Sequence, residues 1–145
     1  MSEELLRRTF EIEGGDFENA GERSAEVTTL LKDLDVDPNI ILRVGVVAFE
    51  AEMNVVMYAH RATLTFVLTD QEIVVEVADQ GPGIPDIELA MQPGYSTATD
   101  EMREMGFGYG LGLPNIKKNS DVFSLESEVG KGTRVHSIVR LVEYG

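Results

Sequence analysis

Residues 79 to 85 read Asp-Gln-Gly-Pro-Gly-Ile-Pro and come directly after the apolar run from Glu72 to Ala78. Three valines in that run predict a buried, central β-strand. The glycines and prolines that follow predict a rigid turn, which leaves Asp79 at the mouth of the strand. A central strand that ends in a carboxylate and a glycine-rich turn is the feature from which we predict the rest of the fold.

Upstream of this strand, the polar pair Asp70-Gln71 predicts a hairpin turn. Asp37-Pro38 is typical of a helix start, because an N-cap residue is followed by proline at the first helical position. Asp16 is a second candidate N-cap. The upstream elements are therefore an edge strand, two amphipathic helices and the first hairpin strand: Arg8 to Ile12, residues 17 to 34, Asp37 to about Ala59, and Thr63 to Thr69.

Downstream, we expect a short helix, a polar loop, a helix and a final hairpin around Gly130-Lys131-Gly132: Asp86 to Met91, Pro93 to Tyr109, Gly110 to about Asn119, Val122 to Ser127, and Thr133 to Val142. Helices on one side of a sheet of about five strands make a two-layer α/β sandwich. We expect the sheet to be mixed and mostly antiparallel, within a single domain that spans residues 1 to 145.

The composition narrows the function. The chain has 145 residues and no cysteine, which excludes disulfides and thiolate metal sites. Its net charge of −14 opposes binding to nucleic acids and to anionic membranes and suits contact with other proteins. The N-terminus lacks the pattern of a signal peptide, and the apolar stretches are short for a membrane helix. We therefore expect a cytoplasmic protein.

Two polar residues interrupt the apolar character of the second helix. Glu50 and Asn54 are four residues apart, so they lie on the same helical face, about 40° from each other around the axis. The neutral oxygen of Asn54 suits a hard cation such as Mg²⁺, which keeps several waters and bridges to phosphate oxygens. Glu50 could accept a proton from an attacking hydroxyl or water.

The glycine-rich segments suit a nucleotide. Gly110 and Gly112 have no Cβ, so the backbone can approach a phosphate, and the helix after them directs its free amides at it. Asp79 can accept a hydrogen bond from the exocyclic amine of a purine, with Gly81 and Gly83 against the base. The segment is neither a P-loop, since no Lys-Ser/Thr pair follows it, nor a dinucleotide fingerprint, since no clear strand precedes it.

In this order, Glu50 to Asn54, Asp79 to Gly83, Gly106 to Leu113 and Gly130 to Thr133 resemble the sequence boxes of the GHKL ATPases, which include gyrase, the Hsp90 chaperones, histidine kinases and MutL. The chain is most similar to the anti-sigma-factor type of serine/threonine kinase, in particular to the RsbT-like switch kinases, and the resemblance covers residues 8 to 142. It implies the GHKL, or Bergerat, ATP-binding fold.

The resemblance implies that Glu50 is the catalytic carboxylate and Asn54 the Mg²⁺ ligand. It also implies a set of ATP-binding residues: Asn54, Asp79, Gly81, Gly83, Ile84, Gly108, Tyr109, Gly110, Leu111, Gly112, Leu113 and Thr133. The implied reaction transfers the γ-phosphoryl group of Mg·ATP to a serine or threonine of a protein partner. The implied partners are a STAS-domain antagonist and a sigma factor or phosphatase, and a homodimer is left open.

Other functions share this ATP site. A nucleotide-gated module that sequesters a partner with little kinase activity uses the same residues. The long segment from Tyr95 to Gly108 is compatible with a detached histidine-kinase ATPase domain. We do not expect the 145 residues to include a phosphoacceptor helix pair as well. A conformational ATPase like gyrase or Hsp90 would need a downstream domain that converts closure into work, and we do not expect one here. Two departures from the switch kinases, the extra stretch Asp100 to Met105 and the polar stretch Lys117 to Asp121, predict a different partner surface.

Overall fold

The computed structural model describes residues 3–100 and 111–141. Within these residues, the strands are β1 (Glu4–Glu13), β2 (Arg61–Thr69), β3 (Glu72–Gln80), β4 (Val122–Glu128) and β5 (Gly132–Arg140). The helices are α1 (Glu22–Asp33), α2 (Pro38–Tyr58), α3 (Ile87–Ala90) and α4 (Gly112–Lys118). No helix of this part of the chain combines the length and the apolarity needed to cross a membrane.

The strands form one sheet in the order β1-β2-β3-β5-β4, and each neighbouring pair is antiparallel. The predicted two-layer sandwich, the edge position of β1 and the central position of β3 are confirmed. The described sheet is not mixed, however. β3 and β4 run parallel to each other, but β5 lies between them and pairs with both, so no parallel ladder forms.

One face of the sheet carries the core. Leu64, Phe66, Ile73 and Val75 are buried on β2 and β3, at every second position as the pleat requires. The buried side of α2 packs on this face, and Val27 of α1 belongs to the same apolar cluster. Burying a side chain of this size stabilises the fold by about 1.5–3 kcal/mol. The core therefore fixes α2 across the sheet, with its polar interruptions at one end of β3.

The start of α2 follows the local sequence. The carboxylate of Asp37 accepts a hydrogen bond from the amide of Asn39 at 2.8 Å, and Pro38 is the first helical residue. The helix ends at Tyr58, with Ala59 as its C-cap. The predicted span from Asp37 to about Ala59 is thus confirmed, because its start signal lies within three residues of the helix.

The start of α1 differs from the prediction. Asp16 binds the amide of Asn19 in a turn, and the helix begins only at Glu22, with Gly21 as N-cap at φ +92°. The cap comes from α2: the buried carboxylate of Glu52 accepts from the amides of Gly21 at 3.0 Å and Ser24 at 2.9 Å. Two free amides at the helix start are therefore satisfied by a residue distant in sequence.

Candidate functional site

A cavity of about 600 Å³ lies between α2, the turn after β3, the start of α4 and the start of β5. This volume is within the usual range for small-molecule sites, roughly 300–1,000 Å³. Its walls include Met53, Met57, Val77, Leu89 and Val135, which offer apolar surface to a planar group. The predicted site residues that line it are Glu50, Asn54, Asp79, Gly83, Ile84, Leu111, Gly112, Leu113 and Thr133.

At one end of the cavity, Glu50 and Asn54 of α2 face the start of α4. A Cβ atom built on Gly112 would lie 3.1 Å from Oε2 of Glu50 and 3.3 Å from Oδ1 of Asn54. Asn115, one turn further along α4, lines the same end. A carboxylate oxygen and an amide oxygen therefore converge beside Gly112, a helical residue that has no side chain.

The protonation of Glu50 depends on its partly buried position. Burial raises the pKa of the Glu50 carboxyl above its ordinary value, and a hydrogen bond from the Asn115 side chain opposes that rise. A carboxylate whose pKa is raised is a better proton acceptor than a fully solvated one. The environment of Glu50 thus suits it to general-base chemistry.

At the other end, Asp79 lies in β3 and contacts the start of β5. Its Oδ1 accepts a hydrogen bond from the amide of Thr133 at 3.0 Å, and the residue lines the cavity. Burial raises the pKa of Asp79, and the bond from the Thr133 amide opposes the rise. An ionised carboxylate can only accept hydrogen bonds. The end of the cavity at Asp79 therefore suits an amino group.

The turn after β3 is joined to the β4–β5 hairpin by hydrogen bonds. The amide of Gly81 donates to the carbonyl of Lys131 at 3.1 Å, and the amide of Gly130 donates to the carbonyl of Pro82 at 2.9 Å. The amide of Ile84 donates to the hydroxyl of Ser127 at 2.7 Å. The wall beside Asp79 is therefore held in place by the backbone.

Gly83 is required by both its conformation and its surroundings. Its φ is +76°, and an added Cβ would collide with the backbone carbonyl of Glu128. An L-residue with a side chain would strain the turn and push it from the hairpin. The glycine thus allows the wall of the cavity to form, as well as leaving room beside a ligand.

Some predicted residues lie elsewhere. Gly81 is buried behind the wall, and an added Cβ would lie 3.3 Å from Oδ1 of Asp79. It supports the site and does not line the cavity. Gly108, Tyr109 and Gly110 lie outside the described residues, as does the stretch from Glu101 to Met105.

Asn115, Ser127 and Phe49 are among the residues of this region that were not predicted. Asn115 is part of the glycine-helix motif and lies three residues after Gly112, the spacing that could have revealed it. Ser127 lies near the end of β4, and it contacts Ile84, which is 43 residues away in sequence. Phe49, which precedes Glu50 and is 39% exposed, lines the cavity mouth.

Glu52 lies between Glu50 and Asn54 in sequence but faces the opposite way. Its carboxylate is fully buried and binds the start of α1, and the guanidinium of Arg23 lies 3.9 Å away. Residues two apart on a helix do not share a face. Glu52 therefore attaches α1 to the helix that carries the site.

The described residues hold no cluster of three or more acidic, histidine or cysteine side chains that could bind a metal without further ligands. Mg²⁺ does not need such a cluster, because it is commonly held by one or two protein oxygens together with phosphate oxygens and water. Glu50 and Asn54 supply oxygens of this kind beside Gly112. The residues present therefore fit Mg²⁺ delivered with a nucleotide.

Comparison with known proteins agrees with this geometry. The model of the histidine kinase-, DNA gyrase B- and HSP90-like ATPases matches residues 40–143. The match covers well over half of the sequence, and the chain belongs to this ATPase family. The GHKL resemblance is thereby confirmed.

Individual relatives narrow the class. The chain is similar to the serine/threonine-protein kinase RsbT of Bacillus subtilis, with 47% identity over 60 residues, 41% of this chain and 39% of that protein. It is also similar to the anti-sigma F factor of Clostridium acetobutylicum, with 32% identity over 79% of this chain and 81% of that protein.

A solved structure shares the fold. The crystal structure of the SiaB-SiaC complex from Pseudomonas aeruginosa contains a chain that matches with a TM-score of 0.58 and 16% identity, over 94% of this chain and 91% of the other. At this identity the match shows the architecture alone.

Proposed function

We propose that this chain is a protein serine/threonine kinase that transfers the γ-phosphoryl group of Mg·ATP to a partner protein, and that residues 1 to 145 form its single domain. One observation carries the proposal: Glu50 and Asn54 meet Gly112 at one end of a cavity whose other end holds Asp79. The first end offers a base and oxygens for a cation, and the second offers an acceptor for an amine.

The two ends orient the nucleotide. The purine is proposed to lie between the apolar walls, with its exocyclic amine donating to Asp79. Gly83, Ile84 and Thr133 hold the edge of the base. The triphosphate then points to the start of α4, where Leu111, Gly112 and Leu113 provide backbone, and the proposed contacts continue to Gly108, Tyr109 and Gly110.

The chemistry at the phosphate end needs a base and charge neutralisation. Glu50 takes the proton of the acceptor hydroxyl, and the hydroxyl oxygen forms a bond to the γ-phosphorus. The bond between that phosphorus and the β,γ-bridging oxygen breaks, so that ADP leaves. Mg²⁺ supplies positive charge beside the phosphates, and Asn54 is proposed to hold it. Asn115 orients Glu50 through their hydrogen bond.

The acceptor is proposed to be a STAS-domain protein, and a sigma factor or a phosphatase is proposed as the second partner. The relative named as a serine/threonine-protein kinase supports an acceptor with a serine or threonine, and the relatives named as anti-sigma F factors support a sigma factor as a partner. The net charge of −14 favours protein partners over nucleic acid.

A transfer assay tests the proposal. The purified chain is incubated with Mg²⁺, ATP labelled at the γ-phosphorus and each STAS-domain protein from the same genome, and label on the STAS protein is followed with time. We expect transfer to one of them. Glu50→Gln should lower the rate by about a hundredfold or more, since general-base catalysis contributes roughly 10²–10⁴.

The matched control is Glu26→Gln, an exposed carboxylate on α1, which should transfer at the parental rate. Binding of ATP is measured in parallel. A chain that binds ATP and a STAS protein but transfers no label is the nucleotide-gated sequestration module instead. A Glu50→Gln variant as fast as the parent would refute the catalytic role.

A further inference from the structure

Ser127 lies outside the cavity but touches two residues that line it. Its Oγ is 2.7 Å from the amide nitrogen of Ile84, 2.8 Å from Oγ1 of Thr133 and 3.2 Å from the carbonyl oxygen of Gly132. Ile84 and Thr133 both line the cavity. One hydroxyl therefore has three partners around the end of the cavity that holds Asp79.

The three contacts can all be hydrogen bonds in only one arrangement of the protons. Serine has one proton to donate and two lone pairs to accept with. The Ile84 amide can only donate and the Gly132 carbonyl can only accept, so the proton of Ser127 points to Gly132. The 2.8 Å contact between the two hydroxyls would by itself allow either to donate. Only donation by Thr133 to the remaining lone pair of Ser127 keeps all three bonds.

With its proton turned toward Ser127, the hydroxyl of Thr133 offers only lone pairs to the cavity. The amide of Thr133 is not free to donate to a ligand either, because it is bound to Oδ1 of Asp79 at 3.0 Å. The carboxylate of Asp79 is itself an acceptor. This end of the cavity thus presents acceptors and withholds donors.

We infer that Ser127 is a positioning residue that sets the hydroxyl of Thr133 as an acceptor, and so makes the site select a 6-amino purine over a 6-oxo purine. The inference rests on the proposed ATP site. A 6-oxo group would bring an acceptor against two acceptors, and a site built for one hydrogen-bonding pattern rejects the opposite one.

Calorimetric titration with ATP and with inosine triphosphate, each with Mg²⁺, tests the inference, since the second nucleotide replaces the 6-amino group by an oxo group. We expect the parent to bind ATP at least about tenfold more tightly, or ~1.4 kcal/mol. Ser127→Ala frees the proton of Thr133 to donate to the oxo group, and the ratio of the two dissociation constants should shrink by about fivefold.

The ratio of the two dissociation constants is the readout, because loss of the contact between Ser127 and Ile84 should weaken the binding of both nucleotides alike. The matched control is Ser124→Ala, an exposed serine of the same strand, which should keep the parental ratio. Ser127→Cys, whose sulfur is a weak acceptor, should narrow the ratio in the same direction and serves if the alanine variant does not fold. Thr133→Val should also reduce the ratio of the two dissociation constants. Adding Ser127→Ala to that variant should not change the ratio further.

The outcomes separate the two proposals. If the parent does not bind ATP, the proposed function fails. If the parent binds ATP and prefers it, but the folded Ser127 variants keep the parental ratio, the role of Ser127 is refuted while the kinase proposal stands. A ratio that widens in Thr133→Val would show that Thr133 donates to the 6-oxo group, which would equally refute the inference.

Discussion

The two ends of the cavity are built in different ways. The end at Asp79 is held by backbone hydrogen bonds between the turn after β3 and the β4–β5 hairpin. The end at Glu50 consists of side chains on α2 that face the bare backbone of Gly112. The first is a preformed wall that suits recognition of a base, and the second leaves space and charge for chemistry. We therefore expect affinity and catalysis to respond to different substitutions.

The largest effect should come from the support of the catalytic end. Glu52→Ala removes the carboxylate that caps α1 and leaves two amides at the start of that helix without it. We expect the free energy of unfolding to fall by about 3 kcal/mol. Urea unfolding measures this loss. Glu26→Ala, on the exposed side of α1, is the control and should change stability by less than about 0.5 kcal/mol.

The next effect tests the wall at the other end. Asp79→Asn replaces an acceptor by a group that also carries donors, which would oppose the amine of the purine. We expect the dissociation constant of Mg·ATP to rise at least about tenfold, or ~1.4 kcal/mol. Asp33→Asn, exposed at the end of α1, is the control. An unaltered affinity by calorimetry would remove Asp79 from the site.

A smaller effect on ATP binding is expected where α2 meets the start of α4. Gly112→Ala places a methyl group 3.1 Å from Glu50 and 3.3 Å from Asn54, in the space assigned to phosphate. We expect ATP binding to weaken by about fivefold, or ~1 kcal/mol. Alanine is the better helix former, so the melting temperature should not fall. Weaker binding together with a lower melting temperature would instead indicate a damaged fold.

The smallest effect concerns pH. Burial raises the folded-state pKa of Glu50, so ionised Glu50 destabilises the fold, and its unfavourable contribution grows as pH rises through that raised pKa. Glu50→Gln should therefore raise the free energy of unfolding near neutrality, and the gain should disappear in mild acid, where the parent carboxyl is protonated. Urea unfolding at both pH values is the measurement. A gain that is equal at both would exclude ionisation as the cause.

Local signals were sufficient for much of this molecule. The Asp37-Pro38 helix start, the hairpin at Asp70-Gln71 and the glycine turn after β3 are each contained in a few residues, and the structure has them where the sequence predicts. Glu50, Asn54 and Asp79 were found because a helix and a strand end have fixed periodicities. The roles assigned to them stay predictions.

Features that depend on distant partners could not be predicted. The side chain that binds the first amides of α1 is that of Glu52, which is 31 residues from Gly21. The helix start predicted from Asp16 was therefore too early. The antiparallel sheet depends on where β5 inserts. Ser127 joins the site only because that insertion brings the hairpin against Ile84.

The strand order has a consequence for synthesis on the ribosome. Because β5 is the strand that fills the gap beside β3, the middle of the sheet keeps an unpaired edge until the final part of this sequence has been made. The pairing of Asp79 with Thr133 spans 54 residues, and closing such a long segment delays folding. A nascent chain cut short before β5 would thus present an open edge and half a nucleotide pocket, which makes it a target for aggregation or for proteases.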